Sequence, residues 1–198
     1  LCREKGYHGS SYLAATVSGT GREHDRRYMD THHDLAIMLP NINPYIRPIG
    51  TSVEEWCNAK ISEMEETILS IGPDQIGCFI AEPILASGGV IVPPPGYHQR
   101  SLELCKKHDI VYISDETVTG FGRLGHWFAS KEIFGIQPDI ITCAKGLTSG
   151  YLPMGAAIIS ESLIDNIKNT DGSQPFTNGY TYSCHPVAAK AALTNIDI

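Results

Sequence analysis

This chain of 198 residues lacks several features that mark common functional classes. No apolar run approaches the roughly 18–20 residues that a membrane-spanning helix needs. Positive charge is scarce, because 15 lysines and arginines stand against 22 aspartates and glutamates, for a formal net charge of −7. A surface with that balance does not attract phosphate backbones or anionic lipid, so we expect neither nucleic acid nor a membrane as a partner.

Short motifs of several enzyme classes are absent as well. The sequence contains no Gly-Lys-Ser/Thr phosphate loop and no Gly-x-Ser-x-Gly nucleophile elbow. The histidines at His24, His32 and His33 lack the spacing of a zinc-binding helix, so we predict no metal site. The six cysteines form no Cys-x-x-Cys pair. Free and mostly buried cysteines are typical of a reducing compartment, and we expect a cytoplasmic protein.

The sequence does contain an alternation of helical and strand-like segments. Apolar residues recur at spacings of three and four over residues 52–71, where Ser52 and Glu55 predict a capping box. Further helices are predicted at 97–107 and near 127–134, between apolar strands at 76–81, 110–114 and 140–144. Continuous apolar strands separated by helices predict an α/β fold, with a mostly parallel sheet and helices on both faces.

Three of these strands end at polar residues that have a joint chemical use. Glu82 follows the first strand, Asp115 the second and Lys145 the third. The carboxyl ends of parallel strands meet at one edge of a sheet, where ligands bind. A lysine amine can form a Schiff base with an aldehyde cofactor, and a carboxylate can keep a pyridine nitrogen protonated. Those are the two requirements of pyridoxal phosphate.

Each of these residues also has a plain structural explanation. A lysine after a strand is usually solvated, but the apolar neighbours of Lys145 favour a partly buried amine with a lowered pKa. Asp115 is explained equally well as a helix cap. Glu82 supports Asp115 or a substrate-side arginine, or it is an ordinary charge at a strand end. Arg123 is expected to form a structural ion pair with Glu116.

Longer motifs connect these residues into one pattern. They read Asp115-Glu116-Thr117-Val118-Thr119-Gly120-Phe121-Gly122-Arg123, Pro138-Asp139-Ile140, Ala144-Lys145-Gly146-Leu147, Gly150-Tyr151-Leu152-Pro153-Met154-Gly155-Ala156 and Gly179-Tyr180-Thr181-Tyr182-Ser183-Cys184-His185-Pro186. The pattern resembles the class III pyridoxal-phosphate-dependent aminotransferases, in particular their omega-amino acid or amine:pyruvate branch. The resemblance extends from Tyr7 to about Ala192.

The resemblance implies a fold-type I transferase that works as a homodimer with shared active sites. Lys145 would be the catalytic Schiff-base lysine, and Asp115 would be catalytic as the partner of the pyridine nitrogen of pyridoxal 5'-phosphate. The other cofactor-binding residues would be Tyr7 and Thr117 on the two faces of the ring, Glu82 in the network beneath it, Val118, and Thr181, which would reach the phosphate of the neighbouring subunit's cofactor.

The implied reaction moves an amino group from an amine or an omega-amino acid to an α-keto acid, with pyruvate as the expected acceptor. Two alternatives remain open. One is a different class III reaction, such as the intramolecular amino shift of an aminomutase, which would not depend on an added keto acid. The other is a catalytically inactive dimerisation fragment, which would not develop the absorbance of a bound cofactor.

The sequence departs from the family pattern at several positions. Thr117 stands where the family usually has valine, Asn178 replaces the histidine of a His-Gly-aromatic-Thr string, and Cys184 replaces a glycine. The glycine matters if the backbone there needs a positive φ. The chain also begins at Leu1 without Met and stops at Ile198 within an alanine-rich helical pattern. We therefore expect residues 1–198 to be part of the large cofactor-binding domain, without its N-terminal segment and the C-terminal small domain.

Overall fold

The computed structural model describes residues 1–19, 29–169 and 179–198. His24 and Asn178 lie outside these ranges, so the absence of a metal site at His24, His32 and His33 stays a prediction. The strands are β1 Cys2–Arg3, β2 Met38–Leu39, β3 Cys78–Ala81, β4 Val111–Asp115, β5 Ile140–Cys143 and β6 Ala156–Ile159. The helices are α1 Tyr12–Thr16, α2 Val53–Ile71, α3 Tyr97–Lys107, α4 Ala129–Glu132, α5 Glu161–Asn169 and α6 Pro186–Asp197.

The main sheet has four strands in the order β3-β4-β5-β6. The first three strands are parallel, and β6 is antiparallel to β5. A parallel partner requires a long crossover, usually a helix. The chain between β5 and β6 contains only the 3-10 turn Lys145–Thr148, so it returns in the opposite direction. The predicted α/β fold with a mostly parallel sheet is confirmed, and β1 pairs with β2 in a separate parallel ribbon.

The two long helices follow their sequence signals closely. At the start of α2, the Glu55 backbone N–H donates to Ser52 Oγ at 3.1 Å, and the Ser52 backbone N–H donates to Glu55 Oε2 at 2.7 Å. This is the predicted capping box, and Gly72 ends the helix with a φ of 95°. Helix α3 covers residues 97–107 as predicted and buries Leu102 and Cys105.

Helix α4 is shorter than the predicted helix near 127–134. Phe128 keeps an extended backbone, and the Glu116 carboxylate accepts hydrogen bonds from the backbone N–H groups of Ala129 and Ser130. These bonds define the first turn, because the first N–H groups of a helix have no partner within it. Gly135, with a φ of 62°, lies shortly after the end of the helix at Glu132. A distant carboxylate therefore decides where α4 begins.

One face of the sheet is covered much more completely than the other. Phe79, Ala81 and Tyr112 point from β3 and β4 into a core shared with α2 and α3. The alternate residues of these strands are only half-buried, namely Cys78, Ile80, Val111 and Ile113. The cysteines at Cys57, Cys105 and Cys143 are free and buried. In the described part of the chain, no helix combines the length and apolar character that crossing a membrane requires.

His98 on α3 is a buried, neutral histidine in this core. Its Nδ1 lies 2.8 Å from the Tyr112 hydroxyl, and its Nε2 lies 2.9 Å from the Pro83 carbonyl oxygen. Because a carbonyl only accepts, Nε2 must carry the proton, and Nδ1 accepts from the hydroxyl. Burial, with a smaller contribution from the positive charge of Arg3, lowers the pKa of His98 to about 3.

We expect His98 to weaken the fold in mild acid. The unfolded chain binds a proton at this side chain near pH 6.5, whereas the folded chain does so only near pH 3. Between those values the free energy of unfolding should fall with pH, by up to about 1.4 kcal/mol per pH unit. Urea unfolding at about pH 7 and about pH 5 measures this loss. His98→Gln keeps a donor for Pro83 but does not titrate, so an equally steep loss in that variant would contradict the assignment.

Candidate active site

The ends of β3, β4 and β5 meet at one edge of the sheet, as predicted. Ala81 pairs with Ser114, and Asp115 pairs with Thr142. This register brings Glu82, which directly follows β3, beside Asp115 at the end of β4. Lys145 begins the turn that follows the neighbouring strand β5. Two carboxylates and one amine therefore lie at the carboxyl ends of adjacent parallel strands, where α/β proteins bind ligands.

Asp115 is buried and held by hydrogen bonds from His8 and Thr117. Its Oδ2 lies 2.8 Å from His8 Nδ1, and its Oδ1 accepts from the Thr117 backbone N–H at 3.0 Å. Burial on its own would raise the pKa of Asp115, but the hydrogen bonds from His8 and Thr117 outweigh it and lower that pKa below its ordinary value. The group is thus an ionised carboxylate at neutral pH. It caps no regular helix, since a turn follows β4.

His8 was not identified from the sequence as a functional residue. It belongs to the triplet Tyr7-His8-Gly9, which carries no spacing or periodicity of its own. The bond to Asp115 joins residues separated by 107 positions. A local pattern does not report such a contact, because it depends on how the segment before α1 packs against the end of β4.

Glu82 connects the Tyr7 segment to the same edge of the sheet. Its Oε1 accepts from the Tyr7 backbone N–H at 2.8 Å, and its Oε2 accepts from the Ala86 backbone N–H at 3.1 Å. Burial raises the pKa of Glu82, and the charge of Asp115 acts in the same direction, although the two backbone bonds oppose it. The carboxylate therefore fixes the backbone at Tyr7, whose half-buried ring precedes His8.

Lys145 is exposed in the described structure, so the expectation of a partly buried amine is wrong for this chain. The strand stops at Cys143, and Lys145 begins a 3-10 turn with a φ of 43°. Asn195 on α6 secures the turn, because its Nδ2 donates to the carbonyls of Gly146 at 2.9 Å and Leu147 at 3.2 Å. The sequence contained no signal for this role of Asn195.

The expected ion pair between Arg123 and Glu116 is also wrong. Glu116 is fully buried and accepts hydrogen bonds from the Thr119 hydroxyl at 2.6 Å and from the backbone and hydroxyl of Ser130 at 2.7 and 2.6 Å. With the Ala129 N–H, these donors satisfy the carboxylate and leave no room for a guanidinium. Arg123 is exposed and lines a cavity together with Lys145.

This cavity has a volume of about 280 Å³ and lies between the segment after β4 and the turn after β5. Its lining includes three of the predicted site residues, namely Thr117, Val118 and Lys145. The two segments approach closely at Gly146, where an added Cβ would lie 2.8 Å from Phe121 Cβ. Glycine is therefore required beside Lys145 for this packing.

Thr181 lies on an exposed turn before α6 and is not buried against the other predicted residues. Its assigned contact is with a neighbouring subunit, so its role stays a prediction. Cys184 on the same turn has a φ of 57°. The backbone at this position is therefore left-handed, which explains why a glycine is suited to it.

Replacing Cys184 with glycine should stabilise the protein. A side chain in the left-handed region costs about 1–2 kcal/mol, and the greater freedom of glycine in the unfolded chain returns about 0.5–1 kcal/mol of that. We expect the free energy of unfolding to rise by about 0.5–1 kcal/mol, measured by urea unfolding. Cys184→Ala removes the thiol but keeps the Cβ, so equal stabilisation by both variants would refute the backbone explanation.

Comparison with known proteins places the chain in a family. The family model described as Aminotransferase class-III matches residues 1–198. The chain is 40% identical over 199 residues to an uncharacterized aminotransferase of Sinorhizobium fredii, with 100% of this chain and 42% of that protein covered. It is 39% identical over 201 residues to the vanillin aminotransferase of Capsicum frutescens, with 100% of this chain and 43% of that enzyme covered.

A solved structure of a thermostable (S)-enantioselective omega-transaminase from Thermomicrobium roseum has the same fold over this length. The TM-score is 0.90 at 37% identity, with 99% of this chain and 43% of that chain covered. The chain thus spans less than half the length of these relatives, and its α/β fold corresponds to part of the fold-type I transaminase fold. Because the family model matches residues 1–198 and the fold agrees over 99% of the chain, this chain belongs to the class III aminotransferases.

Proposed function

We propose that this protein catalyses transamination, moving an amino group from an amine or an omega-amino acid to an α-keto acid, with pyruvate as the acceptor. Residues 1–198 would form part of the large cofactor-binding domain. The observation that carries this proposal is the ionised, buried Asp115 at the end of one strand beside Lys145 after the next. The relatives named vanillin aminotransferase and omega-transaminase support an amine as the donor.

The residues at this edge of the sheet fit pyridoxal 5'-phosphate. The Asp115 carboxylate accepts hydrogen bonds from His8 and from the backbone and side chain of Thr117. A carboxylate has about four lone-pair sites, so one remains for a protonated ring nitrogen. Lys145, Thr117 and Val118 line one cavity. When bound, the cofactor supplies an electron sink for the bond-breaking step at the donor carbon.

Lys145 would hold the cofactor through a covalent bond from Nζ. Once released, its amine would act as a general acid and base that moves a proton at the donor carbon. Its exposure within this chain leaves it accessible to the donor. Asp115 would keep the ring nitrogen protonated, because its negative charge is fixed in a buried position.

The other predicted residues would bind the cofactor without taking part in proton transfer. Tyr7 would present its aromatic face to the ring, on a backbone that Glu82 holds in place. Thr117 and Val118 would contact the opposite side, from the segment directly after Asp115. Thr181 would reach the phosphate of a cofactor in the neighbouring subunit, which its exposed position permits.

This assignment of Thr181 implies a homodimer with active sites shared between subunits. The other partners would be small molecules, namely the amino donor and the keto-acid acceptor. The formal charge of −7 favours neither nucleic acid nor an anionic membrane as a partner. Six free cysteines fit the reducing conditions of the cytoplasm, which we propose as the location.

A visible spectrum of the purified protein with added pyridoxal phosphate tests the proposal. We expect an absorption band that disappears on borohydride reduction, and mass mapping should then place the label on Lys145. Turnover of an amine should require an added keto acid, which distinguishes transamination from an intramolecular amino shift. A reduced label spread over exposed lysines such as Lys131, with none concentrated on Lys145, would refute the proposal.

A further inference from the structure

Thr117 binds Asp115 through two different groups, and only one of them belongs to its side chain. The Thr117 backbone N–H donates to Asp115 Oδ1 at 3.0 Å. The Thr117 hydroxyl also donates a hydrogen bond to the Asp115 carboxylate. Any residue except proline would supply the backbone bond, whereas the second bond requires a donor in the side chain. Threonine at this position therefore adds a hydrogen bond that the backbone alone does not provide.

The backbone bond keeps the hydroxyl close to the carboxylate. Asp115 is the last residue of β4, and its side chain accepts from the N–H group two residues later, which is the pattern of an Asx turn. Threonine is branched at Cβ, so rotation about χ1 is restricted. Because the turn fixes the Thr117 backbone beside Asp115, the hydroxyl loses little conformational freedom when it forms its own bond.

Thr117 also lies at the cavity that we assign to the cofactor. It lines the cavity of about 280 Å³ together with Lys145, and it is half-buried there. The Cβ of threonine carries one hydroxyl and one methyl group. With the hydroxyl engaged by Asp115, the methyl group remains available for an apolar contact with a bound ring. One side chain can therefore serve both the carboxylate and the ring.

The usual family residue at position 117 would lack one of these two contacts. Valine has the same branched shape as threonine, so it can pack against a ring equally well. It has no hydroxyl, so it cannot donate to Asp115. The departure of this chain from the family pattern is thus a change in the hydrogen bonding of the carboxylate, with the shape of the side chain retained.

We propose that the Thr117 hydroxyl is a positioning group, which holds the Asp115 carboxylate in a fixed orientation toward the protonated nitrogen of a bound pyridine ring. This inference rests on the proposed function, because it concerns the same site. The hydroxyl acts on the ring nitrogen through Asp115. It would make the carboxylate of this chain a weaker base than the same group beside a valine.

The surroundings of Asp115 make an additional donor effective. Burial raises the pKa of Asp115, and the hydrogen bonds from His8 and from the Thr117 hydroxyl and backbone lower it. The neighbouring groups Glu82 and Cys143 bring no positive charge. A hydrogen bond to the charged form stabilises that form. The hydroxyl therefore favours a state in which the shared proton stays on the ring nitrogen and Asp115 remains ionised.

Two substitutions separate the hydroxyl from the methyl group. Thr117→Val keeps the branched shape and removes the donor, whereas Thr117→Ser keeps the donor and removes the methyl group. A positioning role of the hydroxyl predicts that serine preserves function better than valine, and a role in ring packing alone predicts the reverse. Thr67→Val is the matched control, because Thr67 is also half-buried and its hydroxyl donates to the Glu63 carbonyl at 2.7 Å within α2.

The measurements are the pKa of Asp115 in the cofactor-free protein, from carboxyl-carbon NMR, and the rate of half-transamination, from the visible spectrum. In Thr117→Val we expect the Asp115 pKa to rise above its wild-type value and the rate to fall about 10-fold, the order expected for one hydrogen bond to a charged group. Thr117→Ser and Thr67→Val should stay close to wild type. A Thr117→Val protein in which either quantity is unchanged, or an equal loss in Thr117→Ser, would overturn the inference.

The failure of this inference differs from the failure of the proposed function. If borohydride reduction of wild type places no label on Lys145, the proposed function fails, and the role of the hydroxyl toward a ring falls with it. If wild type carries the label and transfers amino groups, but Thr117→Val matches it in rate or in Asp115 pKa, only the role of the hydroxyl is refuted. The Asp115 pKa is measured without the cofactor, so the two results are independent.

Discussion

Replacing Lys145 with alanine should reduce the transamination rate by about 10²- to 10⁴-fold or more, because a positioned general acid or base contributes that much. The loss of the covalent anchor adds to the effect. Alanine retains a Cβ, so the left-handed backbone at this position costs the same in the variant and in wild type. The rate of half-transamination, followed by the visible spectrum, measures the change.

Two comparisons make the Lys145 experiment decisive. Lys131→Ala removes an amine from α4 that lines the same wider cavity of about 1040 Å³, and it should leave the rate near wild type. A small primary amine added to Lys145→Ala should restore part of the lost rate, because it can carry the proton that Lys145 no longer carries. A Lys145→Ala protein with a normal rate, or one affected no more than Lys131→Ala, would rule out the catalytic assignment.

Replacing Asp115 with asparagine should slow the reaction by about 10²- to 10³-fold, a loss typical of removing one fixed electrostatic group from an active site. The substitution keeps the shape of the side chain and can still accept the hydrogen bond from the Thr117 N–H. It removes the negative charge that would keep the ring nitrogen protonated. The amino donor should still bind, so we expect the effect mainly on kcat.

Asp139→Asn is the matched control for Asp115→Asn. Asp139 Oδ2 accepts from the Tyr112 backbone N–H at 2.8 Å, so it also supports β4, but not at the end where Asp115 lies. If Asp139→Asn slows the reaction equally, the loss reports damage to the strand rather than the missing charge. A near-normal rate in Asp115→Asn would refute the assigned role directly.

Acid unfolding independently measures how much the ionised Asp115 carboxylate contributes to the free energy of unfolding. Its folded pKa is lowered, so its contribution to stability is present above the ordinary aspartate pKa and is lost as the pH falls through the folded value. Asp115→Asn does not titrate and should lack this part of the acid dependence. This comparison of wild type with Asp115→Asn needs no cofactor. It therefore tests whether the Asp115 carboxylate is ionised even if the protein binds pyridoxal phosphate weakly.

Much of the fold could be predicted because its signals are local. The capping box at Ser52 and the periodic apolar residues of α2 lie within a few positions of one another, and the same holds for α3. The meeting of Glu82, Asp115 and Lys145 at one edge was predictable as well. It needs only the rule that parallel strands joined by crossovers have their carboxyl ends on the same side.

The errors arose where a side chain had several possible partners. Arg123 and Glu116 are close in sequence and opposite in charge, yet the structure satisfies Glu116 with Thr119 and the start of α4. Those donors are available only once residues 129–130 have folded back against β4. The prediction that the Lys145 amine is partly buried was wrong for a related reason. Apolar neighbours in a strand do not determine which way the next turn faces.

The sequence by itself determined the α/β class, the two long helices and the identity of the strand ends that carry Glu82, Asp115 and Lys145. Only the tertiary structure decided that His8 contacts Asp115 and that Asn195 secures the turn at Lys145. It also decided that β6 runs antiparallel to β5. The physical reason is range: periodicity and capping act over a few residues, whereas the His8–Asp115 bond spans 107 positions and forms only when separate segments pack together.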